Sequence, residues 1–348
     1  MPGTTGLKRD PSDETQGSVA WMSLLRRRNA PDPDEIAIFY SSDLHGSDRC
    51  WKKFLAAARF YGVEKLVMGG DLTGKAIVPI ERTDRGMYRA LFLGEQYELG
   101  DETSLDHLTT AVRFNGMYPW IAATAEIERH REDADARDGL FANVMLESLG
   151  RWMDLAGTAA DAGIEVLAIA GNDDPWMCDK VLDSAVSVTA CEDRVVSMGG
   201  HELISCSYVN TTPWNSPREM NDEDLYQHLK DLAEQVQDPS TAIFMFHAPP
   251  HGSGLDIARE INAEDLSVVM RKGQPNEIPV GSMAVRQIIE EYQPLLALHG
   301  HIHESRGIVK IGKTVCVNPG SEYNTGQIHG AVIRIARDSI RAKQLVIG

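Results

Sequence analysis

LLALHGHIHESRG, residues 295 to 307, runs from an apolar stretch into His299, His301 and His303. The apolar half reads as a buried strand. A core strand does not want imidazole, because each buried ring needs a polar partner. A solvated loop has no need of it either. Histidines gathered where a strand stops point to a ligand at that strand end.

Four other stretches have the same form: EIAIFYSSD (35–43), KLVMGGD (65–71), EVLAIAGNDD (165–174) and TAIFMFHAPP (241–250). DRCWKKFLAAARFYG (48–62) has helical apolar spacing instead. Near-continuous apolar strands alternating with helices imply buried sheets in an α/β protein. Each strand stops at a polar cluster: SSDLHGS, GGDLTGK, GNDD, HAPPHGSG or GHIHE. Ligands in α/β sheets bind beyond the carboxyl ends of strands, so clusters far apart in sequence can converge. After residue 303, IVKIG, TVCVNPG, GAVIRIA and IRAKQLVI read as short strands of an antiparallel edge.

The remaining chain bounds the class. With 348 residues and 43% apolar content, it can bury a large core. A formal charge of −17 argues against nucleic acid or an anionic membrane surface as partner. No apolar run reaches the ~18–20 residues of a membrane span, and the N-terminus lacks the apolar core of a secretory signal. Cys50, Cys178, Cys191, Cys206 and Cys316 are scattered and odd in number, as expected of reduced thiols in a cytoplasmic protein. Residues 1–34 read as a polar tail, within which WMSLLRRR (21–28) is a short helix, a docking segment or an unstructured arm. The domain proper is expected over 35–348. The stretch between Asp71 and Asn172 is longer than one crossover needs. A mostly helical insertion is therefore expected over about 84–160, covering the site or making an oligomer contact.

The strand-end clusters supply Asp43, His45, Asp71, Asn172, His247, His301 and His303. These offer carboxylate, amide and imidazole but no thiolate, which suits manganese, iron or zinc in a reactive site over a structural zinc. Seven such ligands exceed one tetrahedral shell. They fit two divalent ions sharing a carboxylate, a pair that sits roughly 3.5–4 Å apart and acts on phosphoesters.

At these residues the chain resembles the calcineurin-like metallophosphoesterases, with the pattern D-x-H, G-D, G-N-H, a lone His, then G-H-x-H. Here it reads Asp43-Leu44-His45, Gly70-Asp71, Gly171-Asn172, His247 and Gly300-His301-Ile302-His303. The resemblance extends over residues 36 to about 345 apart from the insertion. It is nearest to prokaryotic phosphoesterases with HAPP, GHIHE and NPGS signatures. It implies a four-layer α/β/β/α sandwich of two mixed sheets. It also implies Asp43, His45 and His303 on one ion, Asn172, His247 and His301 on the other, and Asp71 bridging. Manganese is the first choice, with iron or zinc as alternatives. The implied activity is hydrolysis of a small phosphoester by a hydroxide held between the ions, a diester preferred to a monoester. A protein-binding scaffold of the same fold is the rival, although scaffolds of this kind typically lose ligands. A nuclease is a further rival, disfavoured by the acidic charge.

One position departs from the pattern. The residue after the metal-binding Asn is usually His, held to protonate the leaving group, and here it is Asp173. Asp173 could act as an acid with a raised pKa, His251 could replace it, or the leaving group could need no proton. Asn172, Lys75 and Arg306 are candidate substrate contacts. NPGS (318–321) reads as a turn supporting the metal loops, and His299 as a structural histidine. Trp176, Tyr208 and Trp214 are candidates for the pocket wall.

Overall fold

The computed structural model describes residues 35–348, so the expected 1–34 tail and its WMSLLRRR segment lie outside the described residues. Two six-stranded mixed sheets face each other. The first runs, edge to edge, Ser339–Ile347, His329–Ala336, Ile36–Ser41, Lys65–Met68, Glu165–Ala168 and Thr189–Ala190. The second runs Gly307–Ile311, Thr314–Asn318, Leu296–Leu298, Ile243–Phe246, His201–Cys206 and Val196–Met198.

Side-chain alternation explains the layers. Ile36, Ile38 and Tyr40 point inward with Ile243, Met245, Leu296 and Leu298 of the facing sheet. Ala37 and Phe39 point outward into a cluster built with the helices Asp48–Tyr61 and Ala134–Asp161. Phe244, Phe246 and Ala297 face the helices Asp222–Ala233 and Met283–Tyr292 on the opposite side. The central strands are thus buried on both faces, which is why they read as continuous apolar runs. The result is the four-layer α/β/β/α sandwich.

The C-terminal strands differ from a single finishing edge. The hairpin 307–318 closes the second sheet, and the hairpin 329–347 closes the first.

The long stretch before Asn172 holds more than helices. It carries its own four-stranded sheet, Ala76–Arg82, Tyr88–Phe92, Glu95–Leu99 and Met117–Ala123, with helix Glu102–Phe114 packed on it. The sheet begins at Ala76, ahead of the expected boundary at 84. Val78, Ile80 and Phe92 are buried against Leu105, Leu108 and Val112, while the other face mixes Glu81, Arg89 and Glu98 with Ile77 and Trp120, a half-buried alternation that favours strands. Helices Thr124–Glu132 and Ala134–Asp161 follow. The long helix docks through Trp152, which stacks on Trp51 at 4.9 Å. Each indole also finds a polar partner, since Trp51 donates to the Trp152 carbonyl and Trp152 to Asp48.

Candidate metal centre

The parallel strands ending at Ser41, Met68, Ala168, Phe246 and Leu298 bring their following loops to one rim of the sandwich. The loops interlock through backbone bonds: Asp43 N donates to Gly70 O, His45 N to Asp71 O, and Gly300 N to His247 O, at 2.9, 2.9 and 3.0 Å. Their backbone is strained. Asp43, His45, Asp71 and His301 have φ of 59°, 41°, 53° and 64°, in the left-handed region that non-glycine residues seldom adopt. Such strain costs about 1–3 kcal/mol per residue and persists where surrounding structure enforces it. Two glycines permit the close approach. A Cβ on Gly171 would lie 2.1 Å from Asp71 Oδ1, and one on Gly300 would lie 2.5 Å from Asp43 Oδ2.

One ligand atom from each of Asp43, His45, Asp71 and His303 lies within 4.8 Å of the others. His45 Nε2 stands 3.1 Å from His303 Nε2 and 3.5 Å from Asp71 Oδ2. His303 Nε2 is 3.4 Å from Asp43 Oδ1. His247 adds a second side: its Nε2 is 3.5 Å from Asp71 Oδ2 and 3.8 Å from Asp43 Oδ1. The His301 ring lies 5.6 Å from that of His247, and its backbone N–H donates to the Asp43 carboxylate. Asn172 lines the same cavity as Asp71, His301 and His303, a space of about 1220 Å³. All seven sequence candidates therefore meet.

The chemistry of this set fits divalent cations. Asp43 and Asp71 are buried, and among the described residues their ion-pair partners are histidines alone. His247 Nδ1 faces the Gly69 carbonyl at 2.7 Å and so carries hydrogen there. That turns Nε2 toward the carboxylates, where it and Asn172 Oδ1 lack hydrogen-bond partners. Lone pairs aimed at carboxylates are repulsive without a cation between them. In the metal-free protein His247 itself supplies the charge. Burial pulls its pKa down, but the Asp71 and Asp43 carboxylates prevail and raise it to about 10. Burial opposes ionisation of Asp43, yet His303 and His247 hold it down at about 2. Burial lowers His45 to about 3 and His301 to about 4, leaving both rings neutral, the form that ligates.

Residues behind the ligands fix them. Asp174, which no sequence motif singles out, accepts from the N–H groups of Leu72, Thr73 and Gly171 and from the Thr73 hydroxyl, at 2.6–2.9 Å. It ties the Asp71 loop to the Asn172 loop. Asn318 of NPGS donates to the Gly300 and Ile302 carbonyls, and Ser321 to the Asp43 carbonyl, so that turn supports the metal loops. His299 Nδ1 faces the Phe246 and Ala248 carbonyls, a structural bond between strands. Tyr323, also missed, sets its ring 4.7 Å from that of His45.

The remaining candidates divide. Asp173 donates its N–H to Asp71 Oδ1, and its two carboxylate oxygens meet the Asn172 amide and the Lys75 ammonium. Burial, then the Asp71 charge, raises its pKa against the pull of Lys75. With both oxygens accepting, the ionised form fits this environment. His251, Lys75 and Trp214 line the cavity. Arg306 does not: its Cβ packs against Gly320 of the NPGS turn, with Glu322 the charge nearby. Trp176 and Tyr208 also stand off the cavity wall. Trp176 covers the guanidinium of buried Arg218 at 4.7 Å and packs on Tyr208. In both cases sequence proximity to a motif did not fix side-chain direction.

Comparison with known proteins matches no family model. The crystal structure of TT1561 of Thermus thermophilus superposes with a TM-score of 0.50 at 14% identity, over 90% of this chain and 98% of that one, a likeness of fold. A structure titled as that of a novel archaeal phosphodiesterase aligns over 90% of this chain and all of that one, but at 10% identity and a TM-score of 0.35, too low to carry an argument. Among the described residues no helix is long and apolar enough to cross a membrane. The sequence likeness reaches further: at 32% identity over 197 residues, 54% of this chain and 80% of its relative, the chain belongs to the family of the uncharacterized protein MJ1162 of Methanocaldococcus jannaschii.

Proposed function

We propose that the protein is a metal-dependent phosphoesterase acting on small phosphodiesters. The observation that carries this is the pair of buried carboxylates, Asp43 and Asp71, ringed by imidazoles and an amide oxygen with no other cation beside them among the described residues. Asp43, His45 and His303 would hold one divalent ion, Asn172, His247 and His301 a second, and Asp71 both. Divalent ions bound there would make water acidic enough to attack at neutral pH and draw charge from the phosphate oxygens. An oxygen- and imidazole-rich set suits manganese first, then iron or zinc.

The chain's own residues do the rest. Asn172 is oriented by its bonds to Asp173 and the Ser216 hydroxyl, at 3.0 and 2.9 Å. Asp71 is held in line by the Asp173 N–H. Lys75 stands at the cavity wall with its charge on Asp173, where it can also meet a phosphate oxygen. The same wall carries Asp173, Asp222 and Glu304. Against Lys75 and Arg259 on that wall, the carboxylates are still in excess, which disfavours a dianionic monoester more than a monoanionic diester.

The test is metal analysis of the purified protein, then turnover of bis-p-nitrophenyl phosphate, p-nitrophenyl phosphate and cyclic nucleotides after manganese loading. Two metals per chain and faster diester turnover are expected. Full loading with no turnover of any ester would instead favour a protein-binding scaffold.

A further inference from the structure

Beside the metal cavity lies a second one, a groove of about 620 Å³. We infer that this groove is the substrate's specificity subsite: it takes an apolar organic group of the phosphoester, with a second anionic function at the far end of that group. The inference rests on the phosphoesterase reading and deepens it.

Three observations carry it. First, the two spaces adjoin. Lys75, Phe141, Met145 and Pro175 line both, so the ion pair of Lys75 and Asp173 stands at the doorway. A phosphate held at Asp71 and Asn172 could extend one ester arm past that ion pair toward the groove. Second, the groove floor is apolar: Ile77, Trp120 and Ile127 come from the inserted sheet and short helix, and Leu140 from the long helix. Its size suits a ring system or a medium alkyl chain. Third, its charge runs against that of the whole chain. With Lys75 paired to Asp173, Arg131 and Arg137 face it against Asp138 alone, a balance of +1 in a chain of −17. Arg137 is well exposed, and its one ion pair among the described residues is with the adjacent Asp138, at a long 3.9 Å. An anionic group carried past the apolar floor would find guanidinium donors, which match carboxylate and phosphate geometry.

Calorimetry with the manganese-loaded protein tests this without turnover. The probes are methyl-, propyl- and hexylphosphonate and 6-phosphonohexanoate. Each buried methylene can contribute up to about fourfold in affinity, so hexylphosphonate should bind at least tenfold tighter than methylphosphonate. The carboxylate probe should gain a further threefold or more. Ala142→Trp, which fills the groove from a half-buried helix position, should bring the chain-length dependence close to one. Arg137→Ala should remove only the carboxylate gain. Hydrolysis of bis-p-nitrophenyl phosphate with flat affinity across the series would overturn the subsite and leave the phosphoesterase reading standing. No hydrolysis, but a chain-length dependence that Ala142→Trp removes, would keep the subsite and end the enzymatic reading. If no phosphonate binds at all, both fall.

Discussion

The strand-end loops and the inserted segment are built on opposite terms. The loops hold four candidate ligand residues at positive φ, bring backbone against carboxylate at Gly171 and Gly300, and leave buried polar atoms without partners. The inserted segment carries less strain: one non-glycine at positive φ, Leu93 at 50° in its hairpin turn, beside exposed Leu91, a largely exposed edge strand, and a capped helix over the sheet. Strain gathers where a ligand can repay it. The loops should therefore tolerate almost no change, and the insertion should tolerate much.

Asp71→Asn should break the loops' side of this contrast most severely. If Asp71 bridges two ions as proposed, the amide carries no charge to share between them, so turnover in saturating metal should fall by at least about 10³-fold, or ~4 kcal/mol of barrier. Circular dichroism should show the fold retained. Activity within tenfold of the parent would remove Asp71 from the bridging position.

Gly300→Ala should come next. Its Cβ would press on Ser42 Oγ at 2.1 Å as well as on Asp43, and overpacking of this kind costs about 1–3 kcal/mol. Weaker manganese affinity and a lower melting temperature are expected together. Unchanged metal titration would mean the loop has room that its geometry does not suggest.

Asp173 sharpens the comparison inside the loops. An ionised carboxylate cannot protonate a leaving group, and general acid help is typically worth ~10²–10⁴-fold. The parent should show a steep dependence of rate on leaving-group pKa, and Asp173→His a flatter one. A shallow parent slope that steepens in Asp173→Asn would make Asp173 the acid. If neither variant alters the slope, His251→Ala is the next test.

The metal-free protein gives a pH signature confined to the loops. His247 is raised from 6.5 to about 10 because Asp71 and Asp43 outweigh its burial. A raised folded pKa stabilises fully below the unfolded value, and the contribution is lost as pH climbs through the folded one. After chelation the melting temperature should fall between pH 6.5 and about 10, relative to manganese-loaded protein. Parallel profiles with and without metal would show that His247 does not carry this charge.

The smallest effect belongs to the insertion. Leu91→Ser, at a position 64% exposed, should shift stability by under ~0.5 kcal/mol and leave metal binding unchanged. A clear loss of binding would tie the hairpin to the centre.

The same contrast explains what the sequence disclosed. Each candidate ligand ends an apolar strand or follows one closely, so an apolar-run reading and a residue-type reading coincide at Asp43, Asp71, Asn172, His247 and His301. The inserted sheet offered no such coincidence. Tyr88–Phe92 and Glu95–Leu99 bury little, and Glu95, Gln96 and Glu98 on its edge strand are exposed, so nothing there sets these strands apart from the helical reading of 84–160. Asp174 was illegible for another reason. The second residue of an Asp pair looks solvated, and only folding puts three backbone N–H groups around it. The direction of Arg306 was likewise set by the NPGS turn, which lies outside its own motif.

The origin of the ligands has one more consequence. Asp43, His45, Asp71 and Asn172 grow from one sheet, and His247, His301 and His303 from the other. Ions held among them would rivet the two halves of the sandwich across nearly the whole span of the chain. A ligand at 100 times its Kd adds about 2.7 kcal/mol to the folded state, and here that increment falls on the seam between the sheets. Metal supply would then govern how long the molecule survives as well as whether it turns over. Amides of Ile38 and Met245, deep in the seam, should exchange hydrogen faster after chelation, while those of Leu105 and Leu108 in the insertion should not respond. A starved molecule would come apart along its midline, and proteolysis would begin there.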